Sequence, residues 1–391
     1  MTASVIMRVS GLASSIRIAV SASASMASPT YTDPISVVGQ HARHVFTGLS
    51  AGRYYYQAEV RGRLRGPVGS FTIADSSAES MRYWTASCAR SNSNHPIFEA
   101  IRNQSPDFGI HTGDLFYADI GTNNISLFAA QYDAVFRRSN QAALYRSCPT
   151  YYMYDDHDYG PNDSDATSPS REASIKNFRQ RIPFAHLLVA SGETDATYYK
   201  FERGRVVFLV PDMRSERTPN SATDDASKVI FGTTQKAWLF NELGSNPGKL
   251  ICMISTLPWV GTSTENWGAY STARTELANA IKDAGIAGRF FMNAGDMHAV
   301  AMDDGTNTDY ATGGGAAFPL LQAAPLDQTN SVKGGPWTVG PFSSHENQVG
   351  FVEIDDDGSS EIDVRFIGYR YDASATGELT ELGRYEWTAS V

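Results

Sequence analysis

Over roughly the first 75 positions, hydrophobic residues recur with a period of two. In SIRIAVS, Ile16, Ile18 and Val20 alternate with Arg17 and Ala19; in RYYYQAEV, Tyr54, Tyr56, Ala58 and Val60 share one face. Successive side chains of a strand point to opposite faces, so this period, broken by Gly, Ser and Pro turns, predicts a small antiparallel β-sandwich. ADSSAES, residues 74–80, is small and polar and reads as a linker. Beyond it the rhythm changes. RYWTASC, DFGIHTGD, PTYYMYDD, VVFLVPD, KLICMIS and RFFMNAGD read as strands, and NHPIFEAIRNQ, TQKAWLFNEL and STARTELANAIKDAG as helices. In the first helix Asn94 is placed to cap, Pro96 stands near the first turn, and Ile97 and Ile101 fall on one face. Strands alternating with helices predict an α/β layered domain. The tail GFVEIDDDGSSEIDVRFIGYR reads as an acidic-turned hairpin that closes the sheet, and no internal repeat is visible.

The predicted strands of this second region end on polar residues. Cys88 follows the first, Asp114 the second, Asp155 and Asp156 the third, Asp212 the fourth and Asp296 a later one. In open α/β sheets the ligand crevice lies outside the carboxyl ends of the strands, so these residues should converge. The densest stretch is YDDHDYGPND, where Asp155, Asp156, Asp158 and Asp163 crowd around His157. Acids this close cannot all stay ionised without cations among them. The stretch is not a calcium loop of the EF-hand kind. Counted from Asp156, Gly160 and Pro161 fall at positions five and six, Thr167 stands where a glutamate should bind, and the preceding sequence is strand-like.

Composition narrows the partners. A net charge of −10 argues against nucleic-acid scaffolds and anionic membranes as main partners, yet a bound cation can reverse the field inside an acidic pocket and admit a phosphorylated substrate. Three cysteines, Cys88, Cys148 and Cys252, make no disulfide framework, but one could be a metal-bound thiolate. No apolar run is long enough to span a bilayer, and Arg8 and Arg17 interrupt any signal-peptide core, so a cytoplasmic protein or a mature form without its leader is expected. The length, 391 residues, predicts two or three units.

The ligand chemistry is mixed. Aspartates suit hard ions such as calcium, magnesium or manganese, whereas Cys88, Tyr117 and His298 suit a transition metal, iron above all. Tyr117 follows Asp114 by three residues and would be a phenolate only beside a strong Lewis acid; otherwise it is an aromatic lid on its loop. Asp296 and His298 lie two apart, on one side of an extended loop. Of eight histidines only His157 and His298 stand in acidic, strand-terminal loops, and the other six read as packing or surface residues.

With these residues in place, the sequence resembles the PhoD-like alkaline phosphatase/phosphodiesterase family of the calcineurin-like metallophosphoesterases. The resemblance is carried in order by SCAR, GDLFYAD, YDDHDYGPND, VPDMRSERT, NWGAYSTAR and AGDMHAV, over roughly residues 82–370. It implies a metallophosphoesterase-type α/β sandwich, two layered β-sheets flanked by helices, over residues 77–391. Residues 1–76 would form a fibronectin type III-like β-sandwich. GLSAGRYYY resembles the corner of such domains, with Leu49 followed by a buried Tyr55. The resemblance further implies ferric iron held by Cys88, Asp114, Tyr117 and His298. Asp114 would bridge to calcium, with Asp156 and Asp296 on that side and Asp155 and Asp158 as further calcium ligands; manganese or magnesium are alternatives. Asp156 and Asp296 stand where commoner relatives carry asparagine and histidine, which makes the site more anionic. Tyr154 stands where the family often has tryptophan, a change expected to alter packing rather than chemistry.

The expected reaction is phosphoester hydrolysis by hydroxide generated between paired ions. His157 would protonate the leaving group or contact the phosphate, Arg214 and Asn162 would bind phosphate oxygens, and Asp212 would orient Arg214. One alternative is a narrower phosphodiesterase for phospholipid, cell-wall polymer or cyclic nucleotide, its pocket shaped by Trp259, Trp267 and Tyr270. Another, of a different class, is a non-catalytic, metal-stabilised binding module. A serine nucleophile is disfavoured because no Gly-x-Ser-x-Gly elbow is present, which leaves Ser87 as a neighbour of Cys88.

Overall fold

A computed structural model describes every residue except Met1, Ser10, Leu12, Ser76, Ala375 and Thr376. The expected boundary between residues 76 and 77 therefore falls against Ser76, outside the described residues. In the N-terminal region Thr2–Arg8 pairs antiparallel with His41–Thr47. A second sheet joins Thr30–Tyr31, Ser15–Ser21, Gly52–Val60 and Arg63–Ile73, with Ile35–Ser36 added to Ser15–Ser21. Val5 and Phe46 of the first sheet meet Ile18, Val20, Phe71 and Ile73 of the second, so the period-two residues are the inward face of a sandwich. The corner differs in one position from the sequence expectation. Tyr54, not Tyr55, packs on Phe71 and donates its hydroxyl to Ser50 O at 3.3 Å, because only the residues in phase with Tyr56 face inward.

The second region is built on two six-stranded sheets. One runs in the order Thr150–Tyr152, Phe108–His111, Met81–Ala86, Gln348–Asp355, Glu361–Asp372, Glu378–Ser390. Its first three strands are parallel and the rest antiparallel. The other runs Tyr199–Arg203, Val206–Val210, Leu250–Ser255, Phe290–Ala294, Leu320–Gln322, Ala301–Asp303, with its four inner strands parallel. Val206–Val210 and Leu250–Ser255 are buried at every position, which is why they read as unbroken apolar runs. Between the sheets Tyr83 stacks on Phe108 at 4.8 Å and meets Phe208 edge-on at 5.5 Å. Asn293 ties the layers by donating to the Tyr83 hydroxyl at 2.8 Å. Ile97, Phe98 and Ile101 cover the other side of the first sheet with Trp84 and Phe351, while Leu239, Leu243, Leu277 and Ile281 join the main core.

Two local expectations are corrected. The Gln348–Asp355 and Glu361–Asp372 hairpin does not close its sheet. It lies inside it, because Glu378–Ser390 pairs along its outer edge. Asn94 does not cap Ile97–Asn103. Its side-chain oxygen accepts from Ser139 Oγ and Asn140 N at 3.2 and 3.0 Å, at the start of helix Ser139–Ser147. Ile97 N instead donates to His95 Nδ1 at 3.1 Å.

Candidate metal centre

Three strand ends meet at one point. Cys88 N donates to Gly113 O at 3.2 Å, Ala89 N to Asp114 O at 2.9 Å, and Asp296 N to Ser87 Oγ at 3.0 Å. These bonds lace together the segments that follow Met81–Ala86, Phe108–His111 and Phe290–Ala294. Cys88, Asp114 and Asp296 all lie in the left-handed region, at φ of 63°, 53° and 64°. Non-glycine residues seldom adopt it, and such strain persists where the surroundings hold it for a purpose. Gly113 has φ 103°, and a Cβ there would stand 2.5 Å from Asp155 Cβ, so only glycine lets the two acidic loops approach.

The convergence gathers ligand atoms in three overlapping groups, each within 4.8 Å: Cys88 with Asp296 and His298, Asp114 with Asp156 and His157, and Asp114 with Asp155 and Asp296. Cys88 Sγ lies 3.6 Å from Asp114 Oδ2. The Tyr117 hydroxyl is 3.0 Å from His298 Nε2 and stands beside Cys88 and Asp114 as well. His298 Nδ1 is 2.6 Å from Thr329 O, which fixes the ring and leaves Nε2 facing the cluster. Asp155 Oδ2 and Asp156 Oδ1 are buried without a hydrogen-bond partner. Unsatisfied buried carboxylate oxygens are costly, and a cation would satisfy them.

The electrostatics give the same reading. Burial, then the charges of Asp156, Asp155, Asp158 and Asp296, push Asp114 well above the ordinary carboxylate range. Burial raises Asp155 to about 6 against the pull of Arg214. Burial acts on Asp156 too, but Arg214, His157 and the Asp163 N–H outweigh it and hold that carboxyl low. Burial followed by Asp114 raises both the Cys88 thiol and the Tyr117 phenol far out of the neutral range. Asp114, Cys88 and Tyr117 are thus protonated on their own and become anionic only around positive charge.

Not every expected residue joins. Asp158 lies outside the three groups: its Oδ1 takes Asp155 N at 2.6 Å, and its Oδ2 takes Leu115 N at 2.8 Å and the Tyr152 hydroxyl. Asn162 is exposed, its amide 3.1 Å from Asp163 Oδ2, beside the Asp163 N–H that donates to Asp156 Oδ2 at 2.7 Å. Arg214 does reach the cluster, with Nε 2.5 Å from Asp155 Oδ1 and Nη2 3.4 Å from Asp156 Oδ1. Asp212 accepts Arg214 N and Ser215 N at 3.0 Å together with the Tyr154 hydroxyl, so it orients the Arg214 loop through the backbone, and Tyr154 serves packing as expected. Trp259, Trp267 and Tyr270 are corrected from pocket to core. All three are fully buried, and the indoles donate to Thr308 O at 2.8 Å and Ser255 Oγ at 3.1 Å. Ser87 is buried and bonded to Asp296 N, in keeping with its reading as a neighbour of Cys88.

The His157 ring lies 4.1 Å from that of Tyr117, tilted by 33°, and its Nδ1 lies 2.6 Å from Asp119 Oδ1. Sequence reasoning quoted Asp119 inside GDLFYAD but gave it no role. It also missed Lys333, whose Nζ is 2.9 Å from Asp296 Oδ1 and 2.8 Å from Glu265 Oε2. The one signal was the KGG triplet, a lysine beside a forced turn.

Comparison with known proteins agrees with this picture. A family model described as PhoD-like phosphatase matches residues 83–368. Alkaline phosphatase D of Bacillus subtilis (strain 168) is 23% identical over 312 residues, 66% of this chain and 53% of that protein. The chain thus spans about half the length of the curated relative it matches. A solved structure described as PhoD superposes with a TM-score of 0.75 at 16% identity, over 97% of this chain and 85% of that one.

Proposed function

Because the chain belongs to the PhoD-like phosphatase family, we propose that it is a metal-dependent phosphoric ester hydrolase whose reaction takes place at the Asp114 cluster. The observation that carries the reading is the meeting of Asp114, Asp155 and Asp296 within 4.8 Å, with Asp155 Oδ2 buried without a hydrogen-bond partner. Cys88, Asp114, Tyr117 and His298 form the softer side and would hold ferric iron. Asp114 would serve the harder side as well, where Asp155, Asp156 and Asp296 would hold calcium, or manganese or magnesium in its place. Bound there, such ions supply positive charge for phosphoryl oxygens and acidify a water molecule.

This chain's residues do the rest. Arg214 keeps Asp155 and Asp156 in place and offsets part of their charge. Asp119 holds Nδ1 of His157, which leaves Nε2 as the group that would donate a proton to the departing oxygen. No helix among the described residues is long and apolar enough to cross a membrane. The substrate is a small or polymeric phosphoester that reaches the cluster from solvent. The N-terminal sandwich supports reading residues 1–76 as a fibronectin type III-like unit and 77–391 as the catalytic unit. The experiment is hydrolysis of p-nitrophenyl phosphate by metal-reconstituted protein. Turnover that Asp114→Asn abolishes supports the proposal, and turnover that survives it removes the cluster from the reaction.

A further inference from the structure

Two cations border the acid cluster, and they differ in freedom. The Arg214 side chain is 2% exposed, and its guanidinium faces inward onto Asp155, Asp156 and, at 3.4 Å, Ser164 O. The Lys333 side chain is 19% exposed and stands at the rim. An ammonium has three donors. Lys333 uses one on Asp296 Oδ1 at 2.9 Å and one on Glu265 Oε2 at 2.8 Å, and the third has no partner among the described residues.

The lysine is held there by backbone contacts. His298 N donates to Ser331 O at 3.1 Å, which pins the segment before it to the ligand loop. After it, Gly335 N donates to Val260 O at 3.3 Å. Gly334, at φ 90°, lies so close to this loop that a Cβ on it would stand 2.2 Å from Val260 O. The KGG turn therefore presses against the Val260–Asn266 loop that carries Glu265 and fixes the height of the ammonium over Asp296.

We infer that Lys333 binds a non-bridging phosphoryl oxygen of the substrate and selects phosphomonoesters over diesters. This rests on the phosphoesterase reading above. A phosphoryl group seated against the acid cluster directs oxygens into it. A monoester has three non-bridging oxygens and a diester two, so only the monoester keeps a further charged oxygen for the rim. The free donor of Lys333 meets that oxygen in a charge-assisted hydrogen bond. Glu265 tethers the ammonium without neutralising the donor that faces the substrate.

The test uses the full chain, loaded with metal, as wild type, Lys333→Met, Lys333→Arg and Glu265→Gln. Losing one charge-assisted bond should raise KM for p-nitrophenyl phosphate, and the Kd for inorganic phosphate measured by calorimetry, about tenfold in Lys333→Met. KM for bis-p-nitrophenyl phosphate, and metal content by elemental analysis, should stay at wild-type values. Lys333→Arg should restore most of the monoester affinity, and Glu265→Gln, which unties the ammonium, should weaken it by a smaller factor. Phosphate affinity unchanged in Lys333→Met, equal losses on monoester and diester, or loss of metal would each overturn the role given to Lys333. A wild type that neither hydrolyses a phosphoester nor binds phosphate would instead overturn the phosphoesterase reading, so the two failures are separable.

Discussion

Asp133 and Asp114 each sit inside a knot of charge, and the two knots are built in opposite proportions. Around Asp133, Arg181 approaches to 2.7 Å, Arg8 to 3.3 Å, His41 to 3.8 Å and Arg137 to 3.9 Å, so four basic groups share one acid. Arg8 and His41 come from the N-terminal sandwich, and the knot joins it to helices Ile125–Val135 and Arg171–Arg181. Around Asp114 the ratio is reversed: Asp155, Asp156 and Asp296 crowd the same spot, and the basic side chains beside them among the described residues are Arg214, Lys333 and His157. Asp133 has all the positive charge it needs and holds two parts of the molecule together. The Asp114 cluster lacks positive charge, leaves buried oxygens unpartnered and keeps three residues in strained backbone. A surplus of acid under strain marks the place where something else binds.

Mutations should separate the two knots, beginning with the largest effect. Asp114→Asn should lower turnover of p-nitrophenyl phosphate by about 1,000-fold and reduce bound metal; Asp133→Asn, assayed beside it, should leave turnover near wild type. Arg214→Met strands two buried carboxylates and should cost the metal-free protein about 3–5 kcal/mol in urea unfolding. Metal removal should also expose the titration of the buried acids in the pH dependence of stability. Burial raises Asp155 to about 6 and Asp158 to about 7, so these acids bind protons more tightly folded than unfolded. Their contribution is complete below the ordinary carboxylate value near 4 and is lost as pH rises through 6 and 7. Asp156, held low chiefly by Arg214 against its burial, works the other way, and so do His41, His44, His95, His111, His186 and His298, which burial lowers. The acids' share is therefore read as a difference: the Tm of chelated wild type relative to chelated Asp158→Asn should rise from pH 8 to pH 5, and a constant or falling difference would contradict the protonated carboxyl.

Two smaller effects sharpen the contrast. Asp158→Asn should cost about 1–3 kcal/mol, because donors from Leu115, Asp155 and Tyr152 lose acceptors, while calcium content stays unchanged. Asp133→Ala should cost about 1 kcal/mol, the scale of a partly exposed ion pair, and should disappear into noise at high salt.

How much of this was legible in the sequence follows from the same physics. The inner strands Val206–Val210, Leu250–Ser255 and Phe290–Ala294 were visible because parallel strands buried on both faces must be apolar throughout. The acids were visible because strand ends in such sheets point to one edge. Helix Arg171–Arg181 was not: its buried face includes Ser174 and Asn177, which blurs the apolar period. Nor was Glu378–Ser390, most of whose residues stay partly exposed at the sheet edge. Asp158 looked like its neighbours because sequence shows a carboxylate but not the donors already pointing at it. Lys333 was hidden for the opposite reason, since its partners Glu265 and Asp296 lie 68 and 37 positions away, brought near only by the fold.

The central claim is that the Asp114 cluster is a metal site with Tyr117 as an iron ligand, and one measurement addresses it most directly. Purified protein and its Tyr117→Phe variant are loaded with iron and calcium, analysed for metal content, and scanned in the visible. The account predicts bound iron and calcium and an intense ferric–phenolate band that vanishes in Tyr117→Phe. Protein that retains no metal, or iron-loaded protein without that band, would contradict it.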